Sequence, residues 1–365
     1  MQALILAGGE GTRLRPLTST VPKPVVPLVD RPFISYMLEW LRRHGVEQAI
    51  ISCGFMADEV RQVLGGGDSQ GLELLYLEEP EPLGTGGALK FAEDLIEGRF
   101  LMLNGDVLTD IDLTDQLAQH ERTGARATLA LTPVEDPSAY GLVRQHQDHS
   151  VKEFVEKPRP EQIDTNLISA GAYVLEREVL SEMAPAGSHI SIERDVFPKL
   201  VGRGLYGYEA SGYWLDIGTP ERYLQGTFDI LEGNVRTEAG DSLGASGVAI
   251  ADEVEGTVLG PALIGAGCEV ADGATVGPHV VLGRGVSVGP GAVIERSVVL
   301  DGASIGAGTT IDSAIVGPMV RVGRRCRIEG GAVLGEGVTL GDDNVLAAGV
   351  RIFPGVELPS GALAF

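Results

Sequence analysis

The stretch of this sequence best suited to chemistry is Ala7-Gly8-Gly9-Glu10-Gly11-Thr12-Arg13-Leu14-Arg15-Pro16-Leu17-Thr18, followed by Pro22-Lys23-Pro24. Its three glycines let backbone N–H groups close on an anion, because a residue without Cβ admits conformations closed to others. Arg13, Arg15 and Lys23 place three cations in eleven residues of a chain whose net charge is −23. A polyphosphate is the ligand such a loop suits. The lesser alternative is a Gly-rich turn carrying solvated arginines, and the flanking Pro22-Lys23-Pro24 weighs against it. A dinucleotide fingerprint needs a third glycine where Leu14 stands, and no G-x-x-x-x-G-K-[ST] occurs anywhere, so neither a Rossmann oxidoreductase nor a P-loop NTPase is supported.

Two aspartates follow apolar, strand-like runs: Asp106 after Phe100 to Leu103 and Asn104-Gly105, and Asp216 in Tyr213-Trp214-Leu215-Asp216-Ile217-Gly218-Thr219-Pro220. Taken singly, each reads as a cap or turn residue. Together, facing a phosphate-binding loop, they have the hard oxygen character that Mg²⁺ prefers, with substrate phosphates completing its shell. Between them lies Phe154-Val155-Glu156-Lys157-Pro158, where Glu156 could meet sugar hydroxyls and Lys157 a phosphate; a surface charge is the plain alternative for Lys157.

Other chemistries lack their residues. The six histidines show no metal-site spacing, and no G-x-S-x-G elbow exists. A sugar 1-phosphate needs no such base, since a phosphate monoester with a second pKa of about 6 is already largely a dianion at neutral pH. What its attack on another phosphorus needs is charge cancellation. Two unit negative charges at about 4 Å repel by roughly 4 kcal/mol at an effective dielectric near 20. Mg²⁺, Lys and Arg in one crevice offset that repulsion and stabilise an in-line transition state.

The elements that position these residues can be read from periodicity. Apolar runs at Ala3 to Leu6, Gln48 to Ser52, Leu74 to Leu77, Phe100 to Leu103 and Ala127 to Leu131 alternate with helix-period stretches at Phe33 to His44, Ala57 to Leu64, Gly87 to Ile96 and Thr114 to Arg122. That alternation predicts an α/β domain of βαβ units with a mostly parallel sheet, whose ligand lies beyond the carboxyl ends of the strands. In the first helix Phe33, Ile34, Met37, Leu38 and Leu41 share one face, with Glu39, Arg42 and Arg43 largely elsewhere.

The remainder of the chain is different in kind. Residues 241 to 365 hold 25 of the 51 glycines and no lysine. Apolar β-formers recur at every sixth position from Ile264 to Leu300 and again from Val322 to Leu358. Ile305, Ile311 and Val316 bridge the interval if two turns each lose one residue. Such sextets resemble the hexapeptide repeat of the left-handed parallel β-helix, and about five coils fit. The expected domains are 1–235 and 245–365. At 365 residues, 44% hydrophobic and 22% charged, the composition is that of a globular protein. No apolar run approaches the roughly 20 residues of a membrane span. Nothing resembles a secretory signal, and Cys53, Cys268 and Cys326 form neither a disulfide framework nor a metal knuckle, so a cytoplasmic protein is expected. The acidic balance argues against a nucleic-acid surface.

With these residues in view, the chain resembles the sugar nucleotidyltransferase (NDP-sugar pyrophosphorylase) family, most closely its mannose-1-phosphate guanylyltransferase branch. The resemblance rests on Leu4 to Thr18 with Pro22-Lys23-Pro24, Glu79 to Gly87, Leu103 to Asp106, Tyr140-Gly141, Phe154 to Pro158, Ser191 to Pro198 and Trp214 to Gly218. It implies an enzyme that makes an NDP-sugar and pyrophosphate from an NTP and a hexose 1-phosphate with Mg²⁺, GDP-mannose being the first choice of product. In that likeness Ala7, Gly8, Gly9, Gly11 and Thr12 wrap base and phosphates, and Pro82, Gly84 and Thr85 line the base. Arg13 and Lys23 bind the triphosphate and its developing charge, Asp106 and Asp216 hold the metal, and Gly141, Glu156 and Lys157 hold the sugar 1-phosphate. Ser169, in Asn166-Leu167-Ile168-Ser169-Ala170-Gly171, stands where the family usually has asparagine, and one hydroxyl in place of an amide makes sugar preference the point of departure. The alternatives are a glucose-1-phosphate thymidylyl- or uridylyltransferase, or a regulatory subunit that binds nucleotide-sugar without making it. An acyltransferase role for the repeats would need a base, and His279, the one histidine there, reads as a corner residue. Self-association through the β-helix is expected.

Overall fold

The computed structural model describes residues 1–54, 56–244 and 247–364, so residues 245, 246 and 365 of the expected second domain lie outside the described set. Contacts divide the chain into two compact units, Met1–Gly9 with Ile34–Trp214, and Glu10–Phe33 with Leu215–Phe365.

The first unit is built on a nine-stranded sheet. Its centre is parallel: Gln2–Leu6 lies between Gln48–Cys53 and Phe100–Asn104, and Glu73–Glu78 pairs outside Gln48–Cys53. Leu167–Leu175 runs antiparallel to Phe100–Asn104, Ala127–Pro133 and Gly141–Gln145. Val151–Glu156 lies antiparallel on Gly141–Gln145, and Leu205–Glu209 parallel on Ala127–Pro133. Only Val151–Glu156 and Leu167–Leu175 run against the rest, so the sheet is mostly parallel, as the alternation of elements implied. Ala3, Leu4, Ile5 and Phe100 to Leu103 are all buried, as central strands covered on both faces must be.

The helices fall at Phe33–Arg43, Ala57–Leu64, Gly84–Phe91 and Leu113–Thr123. The third begins three residues before the expected Gly87, and Glu93–Leu95 forms a separate 3-10 turn. Gly86, expected in the loop before the helix, and Gly87, expected as its first residue, serve close packing: both donate their N–H to the Ile190 carbonyl, at 2.9 and 3.1 Å. Glu39 also departs from expectation, being buried at 5% exposure with Arg43 Nη2 3.2 Å from its carboxylate. Trp40 on the same helix is buried and donates to the Ile111 carbonyl at 2.8 Å.

In the second unit the helix Pro220–Glu232 is capped by the Thr219 hydroxyl, which accepts from Arg222 N, and ends at Gly233 with φ 74°. Beyond it the chain winds through three parallel sheets of seven, six and six strands, the arrangement expected of a left-handed β-helix. That is one coil more than the sextet count, because Val248–Ile250 and Thr257–Val258 precede the first regular sextet. Leu282 pairs with Val299 and Val299 with Val316, whereas Ile264 pairs with Leu282 at the full eighteen-residue spacing. Val299, not Leu300, is therefore the repeating inward position, and the two shortened corners are Glu295 to Ser297 and Asp312 to Ala314. Each turns through a non-glycine residue at positive φ, Arg296 at 44° and Ser313 at 51°. They stack with Arg296 Nη2 2.7 Å from Asp312 Oδ1, so one ion pair spans both defects. The interior is mostly apolar from Ile264 to Ile352, with Ser297, Thr309 and Asn344 buried as polar exceptions that hydrogen-bond the coil backbone. His279, at a corner, lies 2.6 Å from Glu232 Oε1 and packs on the Phe228 ring, which gives it a structural place. Among the described residues no helix is long and apolar enough to cross a membrane.

Candidate functional site

Three parallel strands of the first unit end in register, with Leu6 opposite both Ser52 and Asn104. Ala7 N donates to the Ser52 carbonyl at 2.8 Å and Gly105 N to the Leu6 carbonyl at 2.9 Å, so the chain leaves each strand end at one place. Asp106 follows directly. A Cβ on Gly105 would lie 2.6 Å from the Leu6 carbonyl, and this is why glycine precedes the aspartate. Gly8 approaches Gly54 so closely that a Cβ on Gly54 would lie 3.1 Å from the Gly8 carbonyl, whereas Gly9 faces open space.

Glu79 organises this end of the sheet. Its Oε1 accepts from Ser52 Oγ at 2.9 Å and lies 3.3 Å from where a Cβ of Gly8 would be; Oε2 accepts from Leu83 N at 3.2 Å. The sequence reading gave Glu79 no role. A carboxylate directly after the strand Glu73–Glu78 was the available signal.

The segment carrying Pro82, Gly84 and Thr85 is braced by Ser188 to Glu193. Ile190 N donates to the Leu83 carbonyl at 2.9 Å, and a Cβ on Gly84, whose φ is +75°, would meet the Ile190 carbonyl at 2.6 Å. Thr85 Oγ1 donates to Glu193 Oε2 at 2.7 Å and accepts from Ile192 N at 3.0 Å, and Ser191 Oγ also donates to Glu193 Oε2. Pro82 is exposed.

Gly141 sits opposite Glu156 in the antiparallel pair, with the Phe154 ring and Glu156 Oε2 filling the space a side chain would need. Burial, and then the charge of Glu193, push the Glu156 carboxyl above its ordinary pKa. Lys157 is exposed, in the left-handed region at φ 50°, and its N–H is tied to the Tyr140 carbonyl at 2.9 Å. Ser169 Oγ donates to Tyr173 Oη at 3.0 Å. The Tyr173 phenol is raised by burial first and then by Glu193, with Glu156 and Asp106 adding to it. Ser169 thus touches Tyr173, and the charges of Asp106, Glu156 and the unforeseen Glu193 are felt there.

The second unit, taken by itself, carries Arg13, Lys23 and Asp216. Gly11, at φ +62°, opens the 3-10 turn Thr12–Leu14, and its carbonyl accepts from Thr18 Oγ1 at 2.8 Å. Lys23 is buried, and its stem covers Gly11: a Cβ there would lie 3.0 Å from Lys23 Cβ. Thr12 and Arg13 are exposed. A Cβ on Gly218 would fall 2.6 Å from Arg13 Nη2 and 3.1 Å from Asp216 Oδ1, so guanidinium and carboxylate share one face of that glycine. Arg222, from the first turn of Pro220–Glu232, reaches Asp216 Oδ2 at 3.5 Å. Sequence reasoning missed Arg222; its position three residues after the capping threonine was the sign. Arg15 pairs with Glu10 at 3.2 Å.

For a divalent cation the donors are hard carboxylate oxygens after strands. Among the described residues no three metal-ligating side chains cluster. Mg²⁺ takes one or two protein carboxylates and fills its shell with phosphate and water, so Asp106 and Asp216 fit it in kind.

A mostly parallel sheet with a Gly-rich, cation-bearing turn after its first strand and an aspartate after its neighbour defines an enzyme that works on phosphoryl groups. Residues 2–233 match the family described as Nucleotidyl transferase and residues 258–361 the GMPPB C-terminal domain. The chain belongs to the nucleotidyl transferase family and is a nucleotidyltransferase. It is 38% identical to the mannose-1-phosphate guanylyltransferase of Mycobacterium tuberculosis, over 100% of this chain and 98% of that protein. A probable mannose-1-phosphate guanylyltransferase of Oryza sativa is 35% identical over the same shares. Among solved structures, HddC from Yersinia pseudotuberculosis complexed with GMP-PN is 31% identical with a TM-score of 0.53, covering 62% of this chain and 98% of that one.

Proposed function

We propose that the protein transfers a guanylyl group from GTP to mannose 1-phosphate, giving GDP-mannose and pyrophosphate. The observation that carries the reaction is the convergence of Arg13 and Asp216 on Gly218, a cation and a metal-binding carboxylate held at one point. End-to-end likeness to guanylyltransferases supports the substrate pair. Glu79 supports the base: an ionised carboxylate only accepts hydrogen bonds, and guanine offers adjacent N–H donors where uracil and thymine offer one.

In this reading an oxygen of the sugar phosphate attacks the α-phosphorus of GTP. The bond from that phosphorus to the bridging oxygen breaks, and pyrophosphate leaves with its electron pair. No proton need move, because the attacking phosphate is already a dianion. Arg13 and Lys23 bind the triphosphate and neutralise the charge that builds on the leaving group. Gly8, Gly9, Gly11 and Thr12 approach the nucleotide through their backbone, with Ala7 at the strand end and Pro82, Gly84 and Thr85 along the base. Glu156 accepts from sugar hydroxyls, Lys157 holds the sugar phosphate, and Gly141 leaves room between them. Ser169, tied to Tyr173, lines the sugar side. Asp106 and Asp216 would hold Mg²⁺, which supplies neutralising charge between the two phosphate groups when bound.

The working domains in this reading are 1–235 for transfer and 245–365 for self-association, in the cytoplasm, where buried free thiols such as Cys53, pushed up to about 12 by burial, persist. The test is pyrophosphate release from GTP, dTTP, UTP and ATP against mannose 1-phosphate and glucose 1-phosphate. Turnover confined to GTP with mannose 1-phosphate is the expected result. Preference for UTP or dTTP with glucose 1-phosphate would reassign the substrates, and no turnover with any pair would make the protein a regulatory nucleotide-sugar binder.

A further inference from the structure

Arg351 lies on the strand Arg351–Ile352, in the last coils of the β-helix. Its Nη1 donates to the carbonyl of Arg13 at 3.0 Å and to that of Arg15 at 3.1 Å, residues more than three hundred positions away. Both carbonyls flank Leu14 at the end of the 3-10 turn Thr12–Leu14. The turn's own backbone bonds use other carbonyls, those of Gly11 and Thr12. An irregular turn of this kind has little to hold its geometry beyond such local bonds. One guanidinium nitrogen that bridges two carbonyls fixes how the peptide units around Arg13 face each other, and the planar head presents it without much further loss of freedom.

The same arginine acts on the other side of the cation cluster. Glu221, five residues beyond Asp216, has its carboxyl held below the ordinary range first by the Thr219 hydroxyl and additionally by the charge of Arg351. Arg351 therefore contacts the segment bearing Arg13, and its charge is also felt on the helix that follows Asp216.

We propose that Arg351 is a positioning residue for nucleotidyl transfer: from the β-helix it fixes the backbone that aims Arg13 at the triphosphate. The proposal rests on the transferase reading above. It makes the β-helix a working part of the phosphate-binding turn, although Arg351 itself touches no substrate.

The test compares wild type, Arg351→Ala, Arg351→Lys and Arg327→Ala as full chains. Arg327 is an exposed arginine on another coil, paired with Glu329 and remote in sequence from the turn, and controls for loss of a surface charge. In Arg351→Ala, amide hydrogen exchange across residues 11 to 19 should quicken about tenfold, the scale of losing a charge-assisted hydrogen bond, while other segments keep their rates. The kcat should fall by about the same factor with KM for the hexose 1-phosphate unchanged. Arg351→Lys should recover part of both effects, and Arg327→Ala should match wild type. Unchanged exchange over 11 to 19 in Arg351→Ala overturns the proposal, as does an equal kcat loss in Arg327→Ala or a defect confined to KM. If wild type itself turns over no substrate pair, the transferase reading fails, and the exchange data alone still judge whether Arg351 holds the turn.

Discussion

Arg13 Nη2 and Asp216 Oδ1 face the same side of Gly218, 2.6 and 3.1 Å from the point where a side chain would begin there. A methyl group cannot share that space. The nearest atom is the tip of a flexible, exposed arginine, so Gly218→Ala should displace the guanidinium at little expense to folding. The expected result is a kcat reduced at least tenfold, about 1.4 kcal/mol of transition-state stabilisation, with an almost unchanged melting temperature. A large loss of stability with normal kcat would show that Gly218 serves packing alone.

Asp106→Asn and Asp216→Asn are each expected to remove nearly all turnover while leaving circular dichroism and melting unchanged. Neutral amides are poor partners for a hard divalent cation. Raising Mg²⁺ should recover part of the lost rate. Near-normal activity of either variant would take that aspartate out of the metal site.

In the proposed transfer Lys157 takes the sugar phosphate and Glu156 the sugar hydroxyls, and pH separates their parts. Lys157→Ala should raise KM for hexose 1-phosphate about tenfold with kcat little altered. Glu156 accepts from hydroxyls most strongly when ionised, and burial raises its carboxyl, so kcat/KM should fall on acidification sooner than a glutamate of ordinary pKa, about 4.3, would allow. The substrate phosphate also titrates, at about 6. Glu156→Gln should therefore lose one of two acid limbs and keep the other; an unaltered profile would place Glu156 away from the sugar.

Stability should fall with acid through His120. The ring is fully buried between Thr128 Oγ1 at 2.8 Å and Glu176 Oε1 at 3.2 Å, and burial depresses its pKa despite the glutamate. Its stabilisation is present above the unfolded value of about 6.5 and is lost below it, where the unfolded chain takes up a proton that the folded one resists. Between about pH 7.5 and about pH 5.5 the melting temperature should drop more steeply for wild type than for His120→Gln. Equal slopes would clear His120 of that role.

Local periodicity made the framework legible. The expected strands and three of the four helices match to within about two residues, because long apolar runs bounded by turn residues leave few alternatives. The third helix slipped because Gly84, Gly86 and Gly87 carry two meanings, and only the approach of Ile190, a hundred residues on, selects between them. Leu300 misled for a like reason: nothing in the sextet pattern says which of two neighbouring apolar residues turns inward when a corner drops a residue, whereas stacking on Leu282 decides it. Within the candidate site, residues beside glycines and strand ends could be nominated from the linear order alone. Glu79, Glu193, Arg222 and Arg351 could not, since each matters through a partner that the linear order does not place beside it.

The contacts of His279 and Arg351 give the coil number a meaning. His279 adjoins the strand Val280–Leu282, and Arg351 begins the strand four steps further along the same sheet. At about 4.8 Å per step that is about 19 Å. Glu232, which His279 contacts, and Glu221, whose carboxyl feels the charge of Arg351, lie at opposite ends of one helix, eleven residues apart, or about 16 Å at 1.5 Å per residue. Solenoid and helix are thus two scales laid side by side with matching marks. Gaining or losing a single coil between the marks would carry the arginine a full step past Arg13 unless the helix changed by about three residues, so the two lengths can drift only in concert.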